Sequence, residues 1–176
     1  MQRALIAGLF SLACMFPVNA LARARGEAVL HGNGINSGIT GMMYLVEHNG
    51  GLQITVSLAK APSGLHGFHI HEFGSCGNKG KAAGSHFNPM GAAHGFLPQG
   101  GPHHAHVGDL GNIRVGANGQ AVLKLFIAGM SLTKGLLNVA GRGVILHAKA
   151  DDFSQPLGNA GARIACGAIV LTGNKI

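Results

Sequence analysis

The stretch "GFHIHEFGSC", residues 67–76, places His69 and His71 one residue apart inside an otherwise apolar run. In an extended strand, residues i and i+2 project from the same face, so the two imidazoles point together while Phe68 and Ile70 turn to the core. A neutral imidazole offers a ring nitrogen to a metal ion, and two on one face can share an ion. Further candidates follow in order. His86 comes 15 residues after His71, His94 eight later, His106 twelve after that, and Asp109 three beyond. His147 closes the apolar run "GVILHA". A polar residue at the end of such a strand is a surface residue unless its neighbours need it.

Nitrogen-rich ligands in a near-planar arrangement favour Cu(II), whereas a tetrahedral set containing a carboxylate suits Zn(II). The six histidines and one aspartate are one short of two separate four-ligand sites. The shortage disappears if one imidazole serves both ions and gives up its second ring proton, a loss that two flanking dications drive.

Strands must hold these residues. Short segments rich in aliphatic and β-branched residues recur at 27–31, 41–47, 52–59, 65–71, 112–115, 120–127, 143–148 and 164–170. "HNGG" at 48–51 and "ANGQ" at 117–120 carry hairpin chemistry. This spacing predicts an all-β fold, an antiparallel Greek-key sandwich or barrel of about eight strands in one domain. Two stretches interrupt the pattern. Residues 72–111 are loaded with Gly, His, Pro and Asn, and 149–163, "KADDFSQPLGNAGAR", is a shorter polar interval. A loop of about 40 residues is either functional or disordered. This one holds a cysteine and most of the histidines, and metal is the natural anchor.

The chain has 176 residues, 30 of them Gly, and a formal charge of +7. Its cations are scattered and it has one Tyr and no Trp, which argues against a nucleic-acid surface of clustered cations and stacking aromatics. The first 24 residues combine Arg3, an apolar run from Ala4 to Val18 and small residues at Ala20, Ala22 and Ala24. They read as a cleaved signal peptide ahead of a domain at 25–176, which implies the periplasm or secretion. "SLA" before Cys14 fits a lipoprotein signal poorly. Without the leader, Cys76 and Cys166 remain, and an even pair in an exported chain reads as a disulfide.

Together, "GFHIHEFGSC", "GSHFNPMGAAHG", "HVGDLGNI", "GRGVILHAKADD" and "GNAGARIACGAIV" resemble a copper/zinc superoxide dismutase of the exported bacterial kind, from about Gly26 to Val170. The resemblance implies one copper and one zinc ion per subunit. Copper would be held by His69, His71, His86 and His147, and zinc by His86, His94, His106 and Asp109, with His86 as the shared imidazolate. "HHAHVGD" offers three histidines for the last zinc position, and the family's His-x-x-Asp spacing selects His106, leaving His103 and His104 in solvent. Asp151 matches the aspartate linking the outer imidazoles of both sites, Arg163 the arginine over the copper channel, and Cys76 and Cys166 the family's disulfide. His66 matches a packing histidine, while His31 and His48 are expected at the surface. The activity implied is disproportionation of superoxide to O₂ and H₂O₂, in a homodimer or monomer. A copper-buffering module on the same scaffold would need the ligands but not Arg163. One departure stands out: the second loop has only Lys149 and Arg163 as nearby cations, so steering of an anion would be weaker or would come from elsewhere.

Overall fold

The computed structural model describes residues 23–173. The expected leader lies outside the described residues except for Arg23 and Ala24. Ala24 joins the fold, its carbonyl accepting a hydrogen bond from the Glu47 N–H at 2.9 Å.

The chain forms β1 (Arg25–Gly32), β2 (Thr40–His48), β3 (Gly51–Ala59), β4 (Gly64–His71), β5 (Asp109–Val115), β6 (Ala121–Ala128), β7 (Gly143–His147), β8 (Arg163–Ala168) and β9 (Val170–Thr172). They hydrogen-bond in the order β5-β4-β7-β8-β1-β2-β3-β6, with β9 against β1. All the pairings are antiparallel. The end strands β5 and β6 also touch, so the sheet curls into a nearly closed barrel. The last predicted strand divides into β8 and β9 because Ile169 leaves the ladder, its N–H donating to Arg142 O.

Alternation builds the barrel interior. Ala28 and Leu30 of β1, Met43 and Leu45 of β2, and Leu52, Ile54, Val56 and Leu58 of β3 are all buried. Each such Leu or Ile contributes about 1.5–3 kcal/mol through removal from water. The hairpin between β2 and β3 turns at Asn49 and Gly50, both with positive φ, as the "HNGG" signal requires.

β4 and β7 depart from alternation. β7 is buried throughout, as is β4 from His66 onward. Their inner faces meet the core, while the long loop and the second loop cover their outer faces. The long loop holds a 3-10 turn at Lys81–Ala83 and a helical turn at Leu97–Gly100. A disulfide joins Cys76 in this loop to Cys166 in β8, with the Cα atoms 5.7 Å apart. β5 begins at Asp109, three residues before the predicted start, because Asp109 pairs with His69 across a bulge.

Candidate metal centre

Register brings the histidines together. His69 lies opposite Ile145 and His71 opposite Gly143 in the β4–β7 ladder, while His147 pairs with Arg163 across β7–β8. An isolated bridge between His71 and His86 folds the long loop back over β4. Two groups result. One ligand-type atom from each of His69, His71, His86 and His147 lies within 4.8 Å of the others, and the same holds for His86, His94, His106 and Asp109. All seven residues are buried, and His86 belongs to both groups.

The outer ring nitrogens are already occupied. His69 Nε2 donates to Asp151 Oδ2 at 2.8 Å, His71 Nδ1 to Gly84 O at 3.1 Å, and His147 Nδ1 to Gly161 O at 3.2 Å. His94 Nε2 lies 2.9 Å from Asp151 Oδ1. Asp151 therefore touches a ring from each group. Such outer partners fix the tautomer and leave the inner nitrogen for an ion.

The inner atoms converge as a ligand set would. His69 Nδ1 is buried without a hydrogen-bond partner. His71 Nε2 and His147 Nε2 face each other at 3.4 Å. His94 Nδ1 sits 2.8 Å from Asp109 Oδ2, yet it makes no hydrogen bond because the carboxylate lies off the N–H direction. Close approach without hydrogen-bond alignment is the arrangement of atoms that converge on a shared ion. The donor sets fit as well: four imidazoles suit copper, and three imidazoles with a carboxylate suit zinc.

Electrostatics separates the groups. Burial pushes His71 down to about 2, His147 to about 3 and His86 to about 4, so these rings are neutral at neutral pH. Burial also pulls His94 down, but the Asp109 and Asp151 carboxylates prevail and hold it up at about 9. Against the cost of burial, the hydrogen-bonded histidines keep both aspartates well below the usual carboxylate range.

Arg163 is half-buried, and its guanidinium donates to Gly80 O and Gly84 O at 2.6 Å each. It lines a cavity of about 600 Å³ with Asn33, Ile35, Lys79 and Lys81. A second cavity, of about 610 Å³, lies beside His48 and Lys134, and neither cavity is lined by any of the seven clustered residues. His31, His103 and His104 are exposed, and His48 is half-buried. His66 sits between two carbonyls, its Nδ1 2.8 Å from His147 O and its Nε2 2.9 Å from Pro62 O.

Sequence reasoning missed several supporting residues. Asn112 exchanges two hydrogen bonds with the backbone of Asp151, at 2.9 and 2.7 Å. The Arg142 guanidinium lies 3.4 Å over the ring of Phe87, next to His86, and donates to Glu72 O. Lys79 and Lys81 join Arg163 only through the fold of the disulfide loop. For these contacts the sequence holds no local signal.

Comparison with known proteins agrees with this geometry. A family model described as copper/zinc superoxide dismutase matches residues 39–169. An extracellular superoxide dismutase [Cu-Zn] of Onchocerca volvulus is 35% identical over 182 residues, covering 90% of this chain and 88% of that protein. One from Haemonchus contortus is 41% identical over 161 residues, covering 86% and 85%. Neither is bacterial. The crystal structure of the clock protein EA4 superposes with a TM-score of 0.75 at 34% identity, covering 85% of this chain and 96% of that one. Barrel, paired histidine groups and sequence likeness thus lead to one assignment: the chain belongs to the copper/zinc superoxide dismutase family.

Proposed function

We propose that the protein disproportionates superoxide outside the cytoplasm, two anions and two protons giving O₂ and H₂O₂. In this reading each chain holds one copper ion through His69, His71, His86 and His147, and one zinc ion through His86, His94, His106 and Asp109. The observation that carries it is the membership of His86 in both buried groups. When bound, copper supplies one-electron redox chemistry and zinc a fixed positive charge.

The residues have distinct tasks. His86 Nδ1 lies 2.8 Å from Asp109 Oδ1, which leaves Nε2 as its atom on the copper side. Nε2 is the position where this chain can hold a proton and deliver it toward peroxide. Asp109 accepts hydrogen bonds from the Gly95 and His106 N–H groups at 3.0 and 3.1 Å, so its orientation is fixed before any ion arrives. Arg163 carries a permanent charge whose planar guanidinium suits a small anion. Its two carbonyl partners hold it still, and the disulfide ties their loop to its own strand. Lys79 and Lys81 extend the positive field around the same cavity. They supply the steering that the second loop lacks. Among the described residues no helix is long and apolar enough to cross a membrane, and the extracellular relatives support export to the periplasm or beyond.

Metal analysis combined with superoxide decay on copper- and zinc-loaded protein tests the reading. Two bound ions with accelerated decay are expected. Two bound ions with decay at the uncatalysed rate would make the protein a copper-buffering module instead.

A further inference from the structure

His94 is the ligand-type residue least supported by its own backbone. It lies outside every strand and helix, whereas His69, His71 and His147 lie on β4 and β7. Among the described residues, its backbone N–H and C=O have one partner, the carboxamide of Gln155, 61 positions away. The His94 N–H donates to Gln155 Oε1 at 3.0 Å, and Gln155 Nε2 donates to His94 O at 2.9 Å. An amide side chain satisfying both backbone groups of one residue replaces the pair of bonds that a neighbouring strand would give it.

The rest of the second loop closes on the same residue. Phe153, in the left-handed region at φ +58°, lays its ring on the His94 imidazole, with centroids 6.3 Å apart and planes at 23°. Phe96 backs that ring at 5.9 Å. A side chain at Gly158 would collide with Asp151 Oδ1 and His94 Nε2, so only glycine lets the loop lie this close. Asn112 grips the backbone of Asp151 in the same two-bond manner. The Asp151–His94 contact is therefore clamped from both ends.

We propose that Gln155 is a positioning residue for the zinc site: through the His94 backbone it aims the imidazole at the ion and slows zinc release. The short second loop is then a clasp, its steering duty having passed to Lys79, Lys81 and Arg163. The inference rests on the zinc-ligand reading above.

The test uses the full-length, metal-loaded protein. Zinc release to a chromophoric chelator is timed, and Co(II) in place of zinc reports the geometry of the site by its visible absorption. Gln155→Ala is expected to speed release roughly tenfold, within the range found when outer partners of metal ligands are lost, and to shift the Co(II) bands. Gln155→Glu keeps the acceptor for the His94 N–H but loses the donor to His94 O, and should fall between. Because Gln155 is exposed, metal-free variants should melt as the metal-free parent does. Unchanged release and spectrum in Gln155→Ala would overturn the inference, as would an equal loss of melting temperature in the metal-free protein, which marks a merely structural role. A parent protein whose Co(II) spectrum lacks a four-coordinate site would instead overturn the ligand reading, and this inference with it.

Discussion

His69, His71 and His147 ride on β4 and β7, strands buried on both faces, whereas His94 and His106 lie in the long loop beyond any strand. The strand-borne rings pack against one another, and burial keeps His71 and His147 uncharged. The loop-borne His94 sits between two carboxylates and holds a proton until something displaces it. His71 and His147 need give up no proton to take an ion. The carboxylate-rich group must exchange a proton for its ion, and its loop must be held down by side chains from elsewhere. The difference shows how one barrel can prepare two sites of different character only a ring's width apart.

The largest expected break in this contrast is His147→Ala. It removes a strand-borne ring and should abolish both copper retention and superoxide turnover while leaving zinc binding intact. Metal analysis of the variant checks this, and retained turnover would show that the copper group is misassigned. Next is Cys166→Ser, which frees the disulfide loop from β8. The 90-residue separation corresponds to about 4–5 kcal/mol of stability in the loop-entropy model, readable as a shift in the denaturant midpoint under oxidising conditions. A midpoint equal to that of the parent would mean the loop is held by its other contacts alone.

The proton difference gives a third expectation. Because His94 titrates near 9 in the metal-free protein, zinc uptake at neutral pH should release a proton, and affinity should rise about tenfold per pH unit up to that value. Calorimetry in buffers of different ionisation enthalpy measures the release. The effect on metal-free stability has a definite sign. His94 is raised above its unfolded value of 6.5, so its contribution is complete below 6.5 and is lost as pH climbs through 9. His71 and His147 are lowered, so stability falls as pH drops below 6.5. Melting of the metal-free protein should therefore be highest near 6.5, and a steady rise toward pH 9 would contradict the assigned surroundings of His94.

The smallest effects concern the cations. Arg163→Ala should keep both ions, lower the rate about tenfold and flatten its salt dependence. Lys79→Gln combined with Lys81→Gln should cost roughly twofold at low ionic strength and nothing once exposed charges are screened. Stopped-flow superoxide decay across a salt series separates the two. An unchanged salt slope in the double variant would return the steering role to Lys149.

Much of this was legible in the sequence. Period-two alternation in β1, β2 and β3 locates the barrel wall, since one face of each strand meets the core and the other meets water. Ligand chemistry narrows the candidates to a few residue types, and the family resemblance then implies the seven residues that cluster in the structure, choosing His106 over His103 and His104. The strand start at Asp109 escaped notice because its pairing with His69 depends on a bulge. Gln155 and Asn112 were invisible for a different reason: each acts on backbone groups, 61 and 39 positions away, and backbone partners leave no trace in residue type. Lys79 and Lys81 read as ordinary solvated charges until the disulfide loop is folded beside Arg163.

Asp151 spans the two groups, its Oδ2 reaching His69 and both its oxygens within 3.0 Å of His94 Nε2. Thermodynamic reciprocity then applies: whatever factor prior filling of one site adds to the affinity of the other must operate equally in reverse. Loading order cannot alter the final state, and whatever scarcity of one ion does to the second site, scarcity of the second does to the first by the same factor.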